Sequence, residues 1–420
     1  MTDLTAGSAP ASAVPDDDRI FPRLHGRPAS GWLNDPNGVG RIDGTWHVFY
    51  QYNPDEPVHA NVHWGHMTSP DLVRWTTRPV ALAPRPGGID AAGCWSGCLV
   101  DDHGTPTLVY TAVADRSGAQ VVLARGDRAL ERITPEATAV MGMPADPAIT
   151  DVRDPYVFTV GERRFAVQGA GARGGVGEIL LYACDDLTRW TELGSLLRAD
   201  HPIVAEAAGA VIWECPNLVP LDDGWLLVVS PLRPEGEGQL RAANVAWIHG
   251  DLITAGDSLT FTPRHAGVLD AGPAFYAPQL VAVDGRVLCW GWSWELERTA
   301  EQVAAAGWQG VLTFPREVSW AGEAPRLAPA RELAALRHAE VAAGAPLPAA
   351  FEAVGSALRL TLGGAPCWPA DLSVTRVLVD GSLVEAFTDD AQSWTTRAYP
   401  EHGVEFAIHG ATEIRELRQP

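Results

Sequence analysis

Apolar and polar residues alternate along most of this 420-residue chain in short runs of period two, bounded by Gly, Asp and Asn. Five such runs follow a turn glycine: IDGTWHVFYQY at Gly44, DHGTPTLVYTA at Gly104, VGERRFAVQGA at Gly161, DDGWLLVVSP at Gly224 and VDGRVLCWGW at Gly285. The glycines lie 60, 57, 63 and 61 residues apart. Each is expected to supply the positive φ of a hairpin turn, with a half-buried strand behind it. An Asp-Leu pair recurs in SPDLVRW, CDDLTRW and HGDLIT, and sustained helical periodicity is missing until RELAALRHAE near Arg331. A sixty-residue period with room for four short strands predicts a radial repeat of four-stranded sheets. The expected fold is all-β, with a five-bladed β-propeller over residues 20–318 behind a flexible tail, 1–19. The Pro- and Ala-rich stretch AGEAPRLAPA opens a linker with a short helix, 319–338. Residues 339–420 return to period two, as in SVTRVLVDGSLVEAF, where Asp380-Gly381 marks a hairpin turn; they predict a small β-sandwich.

Charge narrows the function. With 31 basic against 52 acidic residues the formal charge is −21. Nucleic acid and anionic membrane surfaces both demand a basic face and are excluded as main partners. Every basic residue except histidine is arginine, which removes Schiff-base lysines, a pyridoxal-phosphate anchor and a phosphate-loop lysine. Six cysteines are too sparse for a disulfide scaffold. The opening MTDLTAGSAPASAVPDDDR has neither a basic start nor an apolar h-region, and no apolar run reaches membrane-span length. A cytoplasmic protein with reduced cysteines is the expectation. Sixteen tryptophans exceed the needs of a core this size, and sugar-binding platforms are one use for the surplus.

The candidate chemistry falls on the same beat. WLNDPNG carries Asp35, CWSG carries Trp95 and Ser96, VRDPYV carries Asp154, IWECPNL carries Glu214 and FYAPQ carries Tyr276. The series 35, 95, 154, 214, 276 advances by 60, 59, 60 and 62 residues, so the five segments are expected to face one another across one central funnel. Pro36, Pro155 and Pro216 suit inner edge strands or bulges, and a following proline is expected to hold Asp35 and Asp154 extended. Three carboxylates in a Trp-lined funnel either hold a hard cation or cleave a glycosidic bond. These acids come from separate repeats, not from an Asp-x-Asp loop, which favours glycoside chemistry. No metal and no cofactor is expected.

WLNDPNG, RDP and WECP, in this order and spacing, resemble glycoside hydrolase family 32, the β-fructofuranosidase group of invertases, inulinases and levanases. The likeness spans nearly the whole chain and includes VFYQYNP, WGHMTSPDLVRW, WSG, FYAPQ, GVLTFPREV and VLVDGSLVEAF. The resemblance implies Asp35 as nucleophile forming a covalent fructosyl-enzyme, Glu214 as acid/base, and Asp154, beside Arg153, as transition-state stabiliser. Trp32, Asn34, Gln51, Trp95, Ser96, Tyr276 and Trp292 are then expected around the sugar. Such chemistry asks for an ionised Asp35, a Glu214 whose pKa is raised, and carboxyls about 5–5.5 Å apart if the configuration is retained. Two departures stand out: His59 replaces the family's usual tryptophan at the pocket border, and ECPN with Asn217 replaces ECPD, a change expected to alter a neighbouring hydrogen bond. The sandwich is also shorter than is usual.

The implied partner is a small sugar: sucrose, a fructo-oligosaccharide or a fructan. Sucrose-6-phosphate would need arginines at the rim. A fructosyltransferase shares the covalent intermediate, and a non-catalytic carbohydrate-binding propeller is the alternative of a different class. The oligomeric state is not legible. Other signals are set aside: Gly169–Gly174 matches a dinucleotide fingerprint but precedes a strand, not a helix. His63 and His66 differ by an odd step and point to opposite strand faces, which argues against a metal cluster with His59. Cys94 and Cys98 are expected as buried thiols, Cys215 as bulk that desolvates Glu214, and the aspartates at 16–18 as a solvated tail.

Overall fold

In the computed structural model, which describes residues 18–115, 118–236, 238–401 and 403–420, the alternating runs become antiparallel strands. The first four, Gly31–Ile42, Thr45–Asn53, His63–Ser69 and Thr76–Leu82, pair in sequence order. The pattern repeats from Gly93, Ile149, Ile212 and Tyr276. Sheets of five, four, nine and five strands result, the nine-stranded one joining two successive repeats through the single pair Gly171↔Ile212. Gly169 allows that approach, since a Cβ there would lie 2.1 Å from the carbonyl oxygen of Trp213. Among the described residues the α-helices are Ala205–Ala208 and Ala300–Ala306, and no helix is long and apolar enough to cross a membrane.

Each repeat's leading strand lies against the next, and the last, Tyr276–Val283, lies against the first, Gly31–Ile42. One side chain stitches each neighbouring pair through a backbone N–H. Asn37 Oδ1 accepts from Gly97 at 3.1 Å, Cys98 Sγ from Val157 at 3.3 Å and Asp154 Oδ2 from Cys215 at 2.9 Å. Asn217 Oδ1 accepts from Leu280 at 2.9 Å, and Gln279 Oε1 accepts from Val39 at 2.8 Å, which closes the ring. A second closure is parallel pairing of Trp308–Gln309 with Gly31–Trp32.

The turn glycines behave as expected at four of five positions. Asp43-Gly44, His103-Gly104 and Asp284-Gly285 have both residues at positive φ, as a type I′ hairpin requires, and Gly161 is also positive. Gly224 departs: the positive φ belongs to Asp222, while Gly224 starts a strand where a Cβ would meet the carbonyl of Gly250 at 2.7 Å.

Other expectations need correction. The stretch expected as a linker, 319–338, begins inside a hairpin, because Arg316–Ala321 pairs with Ala324–Pro329 at the outer edge of the last sheet. Its prolines are tolerated because that edge strand lacks a partner on its far side. The helix after it is a 3-10 helix, Arg331–Leu336. Most of the expected tail lies outside the described residues, but Asp18 is docked: its carboxylate accepts from Ile20 N, Phe21 N and Trp308 Nε1. In the C-terminal part, hydrogen bonds link seven strands into one connected array, its two halves joined through a single long strand. The long Ala350–Leu362 strand is responsible, pairing with Val374–Asp380 in its first half and Ala365–Pro366 in its second.

This sheet meets the ring through a buried ionic cluster. Arg316 bonds Asp270 at 2.8 Å and Glu385 at 2.6 Å; His25 bridges Glu385 at 3.0 Å and Asp380 at 2.8 Å. All five are buried. Burial opposes protonation of His25, but the bonds to Asp380 and Glu385 outweigh it and raise its pKa.

Candidate active site

Every leading strand breaks register at the height of the candidate residues: between Leu33 and Pro36, Trp95 and Gly97, Arg153 and Tyr156, Glu214 and Asn217, and Tyr276 and Gln279. Such bulges re-aim side chains, and here they turn them toward the ring axis. Asp154, Cys215 and Ala277, each followed by proline, have φ of 58°, 46° and 44°. Asp154 is therefore left-handed, not extended as expected. The bulge sets its direction, together with its backbone N–H, which donates to Thr111 Oγ1 at 2.8 Å.

A cavity of about 300 Å³ opens over these bulges. It brings together eleven of the twelve expected residues: Trp32, Asn34, Asp35, Gln51, His59, Trp95, Arg153, Asp154, Glu214, Tyr276 and Trp292. The twelfth, Ser96, lies beneath them and donates to Asp35 Oδ2 at 2.6 Å.

Asp35 is held from several sides. Asn34 Nδ2 donates to its Oδ1 at 3.1 Å, and Gln51 Nε2 donates to Oδ2 at 3.3 Å and to Ser96 Oγ. Asn34 is fixed in turn by Trp32 Nε1 at 2.8 Å and by Gln51 Oε1 at 2.9 Å. Glu214 sits opposite a different set: Arg153 Nη1 donates to Oε1 and Tyr276 Oη to Oε2, each at 2.9 Å. Arg153 also reaches Asp151 Oδ1 at 3.1 Å and stacks 5.4 Å from the Trp95 ring.

Electrostatics depart from expectation at Asp35. Burial, reinforced by the charge of Glu214 and opposed by the Ser96 bond, pushes its pKa up to about 6. Burial and Glu214 push Asp154 to about 7 despite Arg153. Three carboxylates sharing one guanidinium raise the proton affinity of the two aspartates. Cys215 also differs: its Sγ lies 3.5 Å from both Asp35 Oδ2 and Asp154 Oδ2, so it packs on the aspartates and not on Glu214.

Asn217 does more than alter one bond. Buried beneath the pocket, it donates to the carbonyls of Cys215 at 2.9 Å and Pro278 at 2.8 Å, besides accepting from Leu280. Sequence reasoning passed over Asn37 and Gln279, which also brace the pocket floor. A signal was available, for Pro36-Asn37, Pro216-Asn217 and Pro278-Gln279 repeat one proline-amide step on the sixty-residue beat. Thr111 and Trp294, whose ring is 5.3 Å from Tyr276, carry no such mark.

The histidines separate. His59 joins the pocket 5.6 Å from the Trp32 ring, His63 bonds the carbonyl of Asn61, and His66 pairs with His47 at 3.0 Å. Among the described residues no group of three or more His, Cys, Asp or Glu is arranged to hold a metal. The glycines of 169–174 lie in a hairpin between Arg163–Ala172 and Val176–Asp186. Cys94 and Cys98 are free, buried thiols.

Carboxylates gathered where the leading strands meet, beside tryptophan rings and side-chain amides, are the groups that glycoside cleavage requires. The model of the glycosyl hydrolases family 32 N-terminal domain matches residues 25–329. The chain is 31% identical to a sucrose-6-phosphate hydrolase of Klebsiella pneumoniae, over 96% of this chain and 93% of the relative. It is 33% identical to one from Zymomonas mobilis, over 76% of this chain and 64% of the relative. Among solved structures, the GH32 β-fructofuranosidase of Bombyx mori superposes with a TM-score of 0.79 at 24% identity, covering 96% of this chain and 95% of that one. The sucrose-6-phosphate hydrolase of Lactobacillus gasseri gives 0.80 at 23%, covering 96% and 94%. The chain belongs to glycosyl hydrolase family 32 and is a glycosidase of the β-fructofuranosidase type.

Proposed function

We propose that this protein is a retaining β-fructofuranosidase that cleaves terminal fructosides of sucrose or short fructans. On this reading the closed ring of leading strands is the hub of a five-bladed β-propeller, and its funnel is the active site. The observation that carries the proposal is the contrast between two carboxylates in one pocket. Asp35 is fixed by neutral donors, Ser96, Asn34 and Gln51, while Glu214 is held by Arg153 and Tyr276. The first arrangement suits a nucleophile that must keep its direction; the second orients another carboxylate in the same pocket, as a two-carboxylate mechanism requires.

In the first half-reaction an Asp35 oxygen bonds the anomeric carbon of fructose as the glycosidic bond breaks, and Glu214 protonates the departing oxygen. In the second, Glu214 takes a proton from water, whose oxygen bonds that carbon and releases the Asp35 carboxylate. Asp154, braced by the Cys215 N–H, receives fructose hydroxyls. Similarity to sucrose-6-phosphate hydrolases supports the substrate class, and a solved Bombyx mori β-fructofuranosidase variant holds sucrose.

The test is chromatography of products from sucrose, a kestose mixture, inulin and levan, beside an Asp35→Ala control. Free fructose that vanishes with the control supports hydrolysis. Longer oligosaccharides, with glucose release outrunning fructose, move the protein to the transferases. Sugar binding without any product moves it to the binding modules.

A further inference from the structure

We infer that this pocket selects an uncharged fructoside and disfavours one carrying a phosphate. The inference rests on the β-fructofuranosidase reading and names the substrate within it. It departs from the names of relatives such as those of Klebsiella and Zymomonas, which are sucrose-6-phosphate hydrolases.

The cavity is lined by three carboxylates, Asp35, Asp154 and Glu214, against a single guanidinium, Arg153. Its two terminal nitrogens are already committed, Nη1 to Glu214 and Nη2 to Asp151, with its face on the Trp95 ring; only the buried Nε lacks a partner. In the remaining basic lining group, His59, burial lowers the pKa and so favours the uncharged imidazole. With Arg153 balanced by Glu214, the two aspartates leave the pocket neutral to negative.

A phosphate monoester carries close to two negative charges at pH 7. Its usual protein partner is a free guanidinium fork or several N–H donors aimed at one point. A phosphate on the leaving sugar would lie at the mouth of a cavity lined by carboxylates, whose one guanidinium is paired with Glu214. The chain's formal charge of −21 repels a dianion before contact as well. What the cavity does offer suits hydroxyl groups and sugar faces: the Asn34 and Gln51 amides, and the Trp32 and Trp292 rings, 5.7 Å apart.

The test compares kcat/KM for sucrose and sucrose-6-phosphate on the wild-type chain at pH 7, in 0.05 M and 0.5 M NaCl. Sucrose is expected to be favoured by at least about tenfold, and the gap to narrow at high salt, as screening of like charges requires. Equal or better turnover of the phosphorylated sugar overturns the inference. If neither sugar is cleaved, the catalytic reading falls, and calorimetric binding to Asp35→Asn decides this inference separately. Sucrose-6-phosphate binding as tightly as sucrose overturns it; sucrose binding at least tenfold tighter sustains it.

Discussion

The Tyr276 hydroxyl lies 2.9 Å from Glu214 Oε2 and 3.3 Å from the carbonyl oxygen of Ser230. With the carbonyl oxygen of Pro231 at 3.5 Å, its one proton has three acceptors. Turned toward Ser230, the phenol accepts a hydrogen bond from a protonated Glu214; turned back, it donates to the carboxylate. Tyr276→Phe removes this adaptability and is expected to lower kcat about 10- to 100-fold, the worth of a hydrogen bond to a charged group, with KM nearly unchanged. Steady-state kinetics on sucrose checks it, and a loss confined to KM would contradict it.

Asp35 and Asp154 bind protons with pKa values of about 6 and about 7. The proposed mechanism needs Asp35 ionised, so the acid limb of kcat/KM is expected between pH 6 and 7. The two sites titrate as a coupled pair. A limb below pH 5 would count against this electrostatic account.

The same shift has a stability consequence. Both folded-state values exceed the ordinary 3.8, so the folded chain holds protons that the unfolded chain has lost. Stability then falls as pH rises from near 4 toward 7. Asp35→Asn removes one of these groups. It is expected to raise Tm at pH 7.5 by about 2–4 °C while cutting turnover by about 10³-fold or more. Thermal melts across pH, beside the activity assay, test both halves.

Asn217→Ala deletes three buried hydrogen bonds, to Cys215, Pro278 and Leu280. Leaving those backbone groups unpaired is expected to cost about 2–4 kcal/mol, read from urea denaturation, and to loosen the segment that carries Glu214.

Arg316→Met leaves Asp270 and Glu385 buried without their cation. A loss of about 3–5 kcal/mol is expected. The raised pKa of His25 adds stability that is fully present below pH 6.5 and is lost as pH rises through its folded value. Wild-type urea midpoints measured across this range are expected to fall, and His25→Asn to flatten that part of the profile.

The sixty-residue beat made the repeats, the three acids, Trp95, Ser96 and Tyr276 legible, because turn residues and acids both recur where successive sheets must meet; Gln51, His59 and Trp292 lie off that beat and came from the family resemblance. Local geometry was less accessible. Asp154 looks extended from its following proline, and only the offset against the neighbouring Arg163–Ala172 strand gives it a left-handed φ. Pro325 and Pro329 mimic a linker because an edge strand and a linker tolerate proline alike. The balance of charge around Asp35 was hidden for a different reason. It depends on Glu214, 179 residues away in sequence, and on how much water their shared pocket excludes.

Gln279 touches two strands at once, taking the N–H of Val39 and donating to the carbonyl of Gly97 at 2.9 Å. Both contacts join the last repeat to the earliest ones, across more than 180 residues. A growing chain therefore has Asp35 long before it has a closed pocket. Asp35 emerges early, but the enclosure that shapes its surroundings forms only after the segment around Tyr276 arrives and docks onto the start. Competence for catalysis becomes a late, all-or-none event in synthesis, and a chain interrupted before Gln279 carries all three acids with no closed chamber in which to use them.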